Sequence, residues 1–353
     1  MPTLLLNFKN EARSAILDLL WRQWITLGVS GHAAQASGKA ILDPEALLLA
    51  STTLGRMDAR LFDEMLDWLQ DQADWINLQR LARLHKDHVL GDASILSVIA
   101  TRLARLPAHK KWKAMEKSSV EVSGSPAPLF PEDGHFGTAD QDFLAGGWLR
   151  GPVRYRGLSV APRMDHPGNL LLKLRALFGR QSRAEVMAWL LAHEAGHPAE
   201  IARQIGYFRR SVQITLNELE RSGHVRSLRK GREKHFSLLA DEWRFLATWP
   251  MSQGPTFPAW VPWSEIFRLL EQLNALLNDV HLSASSPELQ AIEWRRRLDY
   301  TLLGNSTLPV LFSLPINARG DEALMAHCDR FRQLLDHLGA GPNEEPASSA
   351  MPR

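Results

Sequence analysis

Residues 197–238 read HPAEIARQIGYFRRSVQITLNELERSGHVRSLRKGREKHFSL, and this stretch decides the fold of the centre of the chain. Pro198 suits the first turn of a helix and Gly206 suits the residue just after one, so PAEIARQI is a short predicted helix. A tight link leads to RRSVQITLNELERS, a longer predicted helix that Gly223 ends. The stretch therefore predicts two helices in close succession.

The longer of these helices is amphipathic. Val212, Leu216 and Leu219 recur at the spacing of one helical face, which predicts a buried stripe. A further helix precedes the pair, and we expect Ser182 to cap its first turn and Gly196 to end it. Three helices therefore follow one another before the chain changes character.

The sequence after Gly223, HVRSLRKGREKHFSL, has the pattern of a β-hairpin. Val225 and Leu228 flank an extended piece, and Phe236 and Leu238 alternate on the returning strand. Between the two strands, residues 229–232 form a basic turn around a glycine. The predicted order is helix, helix, helix, hairpin.

Positive charge is concentrated in this segment. Residues 203–235 contain nine Lys or Arg against three Glu, a local excess of six in a chain whose net charge is only +2. The rest of the chain is therefore slightly acidic, and any polyanionic partner would bind here rather than along the whole molecule.

The segment resembles the winged-helix transcriptional regulators of the ArsR and MarR type over about residues 182–239. The resemblance lies in an "IA…G" second helix, a third helix ending in "L..LE..G", and the basic hairpin that follows. It implies that Arg209, Arg210, Gln213 and Ile214 face the major groove of duplex DNA. It also implies that Arg229, Lys230 and Arg232 form the wing.

The residue types agree with that implication. Arginine can donate two hydrogen bonds to a guanine edge, Gln or Asn suits adenine, and Ile214 could contact a thymine methyl. Basic side chains at the hairpin tip suit backbone phosphates or the minor groove. We therefore expect DNA contacts from these residues: Arg209, Arg210, Ser211, Gln213, Ile214, Asn217, Arg229, Lys230, Arg232 and Lys234.

The remaining chain is predicted to be mostly α-helical and divided into several parts. Predicted helices are Glu11–Leu27, Pro44–Leu54, Ala59–Gln70, Leu78–His85, Asp92–Leu106, Asn169–Phe178, Ser264–Leu277, Pro287–Leu303 and Leu324–Leu338, with Asp43 as a cap. Predicted domains are an N-terminal helical domain (1–117), a Gly- and Pro-rich connection (118–168), the winged helix-turn-helix (169–250), a C-terminal helical region (251–339) and a disordered tail (340–353).

The connection holds eight glycines and six prolines over residues 123–168, too many for continuous helix. We expect a short strand at 153–160. Arg150, Arg154 and Arg156 either contact a phosphate backbone or belong to a solvated loop, and the sequence leaves both interpretations open.

Composition argues against several classes of protein and several kinds of site. The apolar run at the start is too short for a signal peptide, and no stretch reaches the roughly 18 apolar residues of a membrane helix, so we expect a cytoplasmic protein with no membrane partner. A single cysteine, Cys328, excludes an internal disulfide and a thiolate-rich zinc site. We expect no cofactor, no bound metal and no enzymatic activity.

Two alternatives remain beside a DNA-binding homodimer that a small-molecule effector or a protein partner controls. One is a partner-binding protein, antitoxin-like or accessory, whose helical ends clasp another protein. The other is a zinc metallopeptidase, because residues 193–197 read HEAGH. That chemistry needs both histidines one turn apart on a continuous helix, and Gly196 and Pro198 interrupt it.

Overall fold

The computed structural model describes residues 2–116, 125–131, 137–247, 257–298 and 318–339. Within them the chain is mostly helical, as its periodicity predicts, and the few strands are short.

Five helices make up the N-terminal part: α1 (Pro2–Thr26), α2 (Pro44–Ser51), α3 (Ala59–Gln72), α4 (Leu78–His88) and α5 (Ala93–Ala104), with short 3-10 helices at Leu54–Met57, Ala73–Trp75 and Pro107–Met115. The predicted cap is confirmed, because the Asp43 carboxylate accepts a hydrogen bond from the backbone nitrogen of Ala46 at 3.0 Å. Asp58, Asn77 and Asp92 cap the next three helices in the same way. Each cap satisfies backbone donors that a helix start leaves free.

The connection contains β1 (Ala127–Pro128), α6 (Gln141–Ala145) and β2 (Trp148–Leu149), with β1 and β2 paired in parallel. The predicted strand at 153–160 is wrong. The backbone nitrogens of Arg156 and Gly157 donate to the Asp67 carboxylate at 3.0 Å each. This carboxylate of α3 accepts the hydrogen bonds that a partner strand would otherwise accept. Arg150 is not in a solvated loop, because it is buried and ion-paired to Asp63 at 2.6 Å.

The central part follows a 3-10 helix at Pro167–Asn169. Its elements are α7 (Leu170–Phe178), α8 (Ser182–Leu191), α9 (Pro198–Ile205), α10 (Arg209–Arg221), β3 (Val225–Lys230), β4 (Glu233–Leu238) and a 3-10 helix at Ala240–Leu246. Pro198 begins α9 as predicted, and Gly206 ends it in the left-handed region with a φ of 71°. The stripe of Val212, Leu216 and Leu219 is buried, as the periodicity predicts.

The predicted role of Ser182 is wrong. Gln181 occupies the position that caps α8, without a side-chain hydrogen bond. The Ser182 hydroxyl is instead hydrogen-bonded to the hydroxyl of Thr215 on α10 at 2.9 Å. This contact ties the start of α8 to the middle of α10.

The two strands form an antiparallel hairpin in which Lys230 pairs with Glu233 across a two-residue turn. Gly231 in that turn has a φ of 65°, which glycine adopts without strain. Gly196, between α8 and α9, pairs with Phe236 of β4 and extends the hairpin by one antiparallel bridge.

The C-terminal part contains α11 (Trp263–Leu277), α12 (Val280–Ser283), α13 (Pro287–Arg297) and α14 (Gly320–Gly339). The helix predicted to run to Leu303 ends earlier, because Leu298 is extended directly after α13. Residues 299–303 and the predicted tail at 340–353 lie outside the described residues. Cys328 is buried in α14, and burial raises the pKa of its thiol to about 12, so the thiol is protonated at neutral pH.

Two hydrophobic cores organise the described residues. The first joins the N-terminal helices to α11, α13 and α14, and includes Phe8, Trp24, Trp68, Phe267 and Phe331. The second belongs to the central part and includes Trp189, Ile205, Leu216, Phe236 and Trp243. Segments far apart in sequence therefore share the first core, whereas the second is built almost entirely from consecutive elements.

A buried ionic network lies where the two cores meet. Arg80 of α4 donates to Asp43 and Glu45 at 2.6 Å each, and Arg175 of α7 donates to Glu45 at 2.7 Å and to Glu185 of α8 at 2.8 Å. Burial opposes the charge of Asp43, but the Arg80 guanidinium outweighs it and holds the pKa of that carboxyl below its usual value. Burial raises the pKa of Glu185. Loss of either arginine would leave buried carboxylates without enough positive charge to balance them.

Hydrogen bonds to uncharged groups extend this network to the start of α10. Arg80 Nε donates to the carbonyl of Ile205 at 2.8 Å. The side-chain nitrogen of Asn77 donates to the Tyr207 hydroxyl and to the carbonyl of Arg180, both at 2.7 Å. The contacts hold α4 against the link between α9 and α10.

Candidate nucleic-acid interface

The outward face of α10 displays most of the side chains predicted to contact DNA. Its buried stripe packs against α8 and α9. Arg209 and Arg210 are exposed, Ile214 is 50% exposed, and Ser211, Gln213 and Asn217 are half-buried. The Gln213 amide nitrogen donates to the Asn217 side-chain oxygen at 3.0 Å, so the two amides hold each other in place.

The hairpin residues predicted to contact DNA differ in exposure and in ion pairing. Arg229 and Arg232 are exposed, whereas Lys234 is half-buried and donates to Glu220 of α10 at 2.5 Å. Glu220 also accepts a hydrogen bond from Ser227, and the contact with Lys234 contributes most to lowering its pKa. The charge of Lys234 is therefore already balanced within the protein. The side chain of Lys230 lies outside the described atoms.

Arginines without ion-pair partners are concentrated on this surface. On α10 and the hairpin, six exposed arginines make no ion pair within the described residues: Arg209, Arg210, Arg221, Arg226, Arg229 and Arg232. Elsewhere many arginines are paired, among them Arg22, Arg80, Arg102, Arg150, Arg175, Arg297 and Arg332. The six unpaired guanidinium groups give this face an uncompensated positive charge.

Four residues of this surface were not predicted as contacts. Arg221 of α10 and Arg226 of β3 belong to the local basic excess of the sequence, and that excess is the signal that could have identified them. Phe208, which precedes α10, and Leu228 of β3 are 68% and 75% exposed. Nothing in the apolar pattern distinguishes them from buried residues, because exposure depends on how the hairpin and α10 pack.

A cleft of about 740 Å³ lies between α4 and α10. It brings two predicted residues, Ser211 and Ile214, together with five cations from other elements. These cations are Arg80, Arg83, Lys86, Arg180 and Arg183. The sequence offers no signal for this juxtaposition, because α4 ends about 120 residues before α10 begins.

The HEAGH motif does not form the helical site that zinc peptidases use. α8 ends at Leu191, before His193, and α9 begins after His197. The ring of His193 stacks on the ring of Trp189 with a centroid distance of 3.8 Å, and His193 Nδ1 is 2.8 Å from the Trp189 carbonyl oxygen. Burial lowers the pKa of His193. His197 caps α9 by accepting from the backbone nitrogen of Ala199. Within the described residues, no group of three or more His, Cys, Asp or Glu is arranged to hold a metal ion.

No helix in the described part of the chain combines the length and the apolar composition that crossing a bilayer requires. Comparison of the chain with protein-family models, with curated proteins and with solved structures returned no match.

Proposed function

We propose that α8, α9, α10 and the β3–β4 hairpin form a winged helix-turn-helix, and that the protein is a sequence-specific DNA-binding transcriptional regulator. The observation that supports this most is the set of six exposed arginines on α10 and the hairpin that make no ion pair within the described residues. A surface of this kind, formed by one exposed helix and a neighbouring hairpin, suits the groove and backbone of duplex DNA.

In this proposal binding is an equilibrium without chemistry. Helix α10 enters the major groove, where Arg209 and Arg210 donate to guanine edges and the paired amides of Gln213 and Asn217 read adenine. Ile214 contacts a thymine methyl. Arg229 and Arg232 of the hairpin displace counterions from phosphates, so much of the affinity depends on salt.

We propose further that the protein binds DNA as a homodimer, because helix-turn-helix proteins commonly read paired half-sites with two copies of the recognition helix. A protein partner or a small-molecule effector would then adjust DNA binding through the helical parts on either side. Light scattering with and without DNA tests the dimer, and a monomer under both conditions would contradict it.

The first experiment is a salt titration of full-length protein binding to labelled random-sequence duplex DNA. We expect the logarithm of the binding constant to fall steeply and linearly with the logarithm of the salt concentration, because phosphate contacts release counterions. A protein that only clasps another protein would show little affinity for the duplex at any salt concentration. That result would favour the partner-binding alternative.

Sequence selection from a random DNA library then tests specificity. Enrichment of a short motif, altered by substitutions on α10, is the expected result. Equal recovery of all sequences would reduce the proposal to non-specific DNA binding.

A further inference from the structure

We infer that α4 forms a second phosphate-contacting wall of the same DNA surface, with Arg83 and Lys86 as its contact residues. This inference rests on the proposed function. It assigns a direct part in DNA binding to the N-terminal helices, which the sequence leaves without any role.

The first observation is that α4 touches the residue from which α10 starts. The Arg83 guanidinium carbon lies 3.8 Å from the centroid of the Phe208 ring. The carbonyl of Phe208 accepts the first hydrogen bond of α10, from the backbone nitrogen of Val212 at 3.1 Å. Arg83 is therefore beside the end of α10 that holds Arg209 and Arg210, and a backbone that α10 approaches passes close to it.

The second observation is that α4 and α10 line one cleft. Arg83 and Lys86 lie on one wall, and Ser211 and Ile214 of the proposed groove-reading face lie on the other. Lys86 is exposed and makes no ion pair within the described residues. Its ammonium group is free to contact a phosphate at the rim of the cleft.

The cleft also contains acidic groups that moderate its charge. Asp87 pairs with Arg83 at 2.9 Å, and Glu218 pairs with Arg183 at 2.6 Å. Arg80 and Arg180 pair with carboxylates behind the lining, Arg180 with Asp74 at 3.3 Å, so Lys86 is the one cation of the cleft that no carboxylate balances within the described residues. Because Asp87 lies beside both proposed contacts, its charge opposes phosphate binding, and removing that charge should strengthen binding.

The third observation concerns rigidity. The same helix that presents Arg83 and Lys86 outward is fixed on its inner side by Arg80, which bonds Asp43, Glu45 and the carbonyl of Ile205. The cations of α4 are thus held in register with α10 before DNA arrives. Contacts positioned in advance lose less conformational entropy on binding.

The test is a salt titration of full-length Lys86→Gln, Arg83→Gln and Asp87→Asn against labelled random-sequence duplex DNA. Lys9→Gln is the matched control, because Lys9 lies on α1 beside a different cavity lined by Leu276 and Trp294. Circular dichroism melting checks that each variant is folded. We expect Lys86→Gln to bind about threefold more weakly and to lower the salt slope by about one. Arg83→Gln should weaken binding in the same direction but lower the slope by less, because its guanidinium group is already paired with Asp87. Asp87→Asn should bind more tightly, and Lys9→Gln should match the wild type.

The two possible failures are distinguishable. If wild-type protein binds the duplex but Lys86→Gln and Arg83→Gln keep its affinity and slope, the role of α4 is overturned and the proposed function stands. If wild-type protein does not bind the duplex at all, the proposed function itself fails, and the inference fails with it.

Discussion

Gly196 and Phe236 exchange two backbone hydrogen bonds, each with an N–O distance of 2.9 Å. The link between α8 and α9 therefore acts as a third, one-residue strand beside the hairpin. Because β4 is anchored in this way, the position of the hairpin relative to α10 is set by backbone contacts as well as by side-chain packing. The HEAGH segment thus has a structural role in the fold.

Gly196→Ala should destabilise the protein by about 1–3 kcal/mol, as overpacking of a tight interior does. A Cβ at this position would lie 2.3 Å from Cη2 of the Trp189 indole and 3.1 Å from the Ile201 side chain, so a large buried ring must move. Urea unfolding measures the loss.

The matched control is Gly137→Ala, because a Cβ there meets no heavy atom within 4 Å. We expect its free energy of unfolding to stay within about 0.5 kcal/mol of the wild type. Equal stability of the two variants would show that Trp189 does not pack against Gly196 as described.

Arg209→Ala and Arg210→Ala should each weaken binding to a selected DNA site by about 1–3 kcal/mol and relax the preferred base at one position. Sequence selection with each variant gives the measurement. Arg163→Ala serves as control, because Arg163 is equally exposed but pairs with Asp165 in the connection. Unchanged affinity and preference in both α10 variants would show that another element reads the bases.

Replacing both Arg229 and Arg232 with Gln should lower the salt slope of DNA binding by about two, one for each lost phosphate contact. Lys234→Gln should change the slope much less, because the ammonium group is already paired with Glu220. Anisotropy titrations over a range of salt concentrations measure all three slopes. A larger effect from Lys234 than from the arginine pair would contradict this division of the hairpin.

Arg80→Met should lower the free energy of unfolding by about 3–5 kcal/mol, because Asp43 would stay buried without its cation and Glu45 would keep only Arg175. The control is Arg105→Met, whose exposed pair with Asp142 should contribute well under 1 kcal/mol. Chemical denaturation compares the two variants. Similar losses would mean that water reaches the network around Arg80.

The raised pKa of Glu271 predicts that the stability of the protein depends on pH. Burial raises its pKa from 4.5 to about 7, against hydrogen bonds from Thr53 and the backbone nitrogen of Gly91. The folded protein thus keeps a proton that the unfolded chain releases, and the free energy of unfolding falls as pH rises from about 4.5 to 7. Glu271→Gln should remove this part of the slope and stabilise the protein at about pH 8 by roughly 1–3 kcal/mol.

Urea unfolding of wild type and Glu271→Gln from about pH 5 to pH 8 provides the measurement. Glu265, whose pKa burial also raises to about 7, should leave a residual slope in the variant. Identical pH profiles for the two proteins would show that Glu271 titrates as an ordinary solvated carboxyl.

Local signals predicted the helices well. Pro198, Gly206 and the stripe through Leu216 are short-range features, and short-range physics decides where α9 and α10 begin, end and turn their apolar faces. The existence of the hairpin followed from the same kind of signal, alternation around a glycine turn, although the turn is Gly231 and Arg232 rather than all of residues 229–232. The buried stripe of α10 also predicted which face of that helix is exposed.

Long-range contacts could not be predicted in the same way. The strand expected at 153–160 is absent because Asp67 of α3 accepts the backbone donors there. The Ser182 hydroxyl bonds Thr215 rather than its own helix. Arg80 and Glu45 have the composition of a solvated surface, and only the tertiary fold shows that they are buried partners.

The division of the two cores has a consequence for synthesis on the ribosome. The central part can complete its interior once Trp260 has emerged, because its core is almost contiguous in the chain and ends at that residue. The N-terminal helices emerge first yet must wait for Phe331 and Leu334 before their shared interior closes. Until then their apolar faces are exposed to solvent, and we expect chaperones to bind the nascent chain.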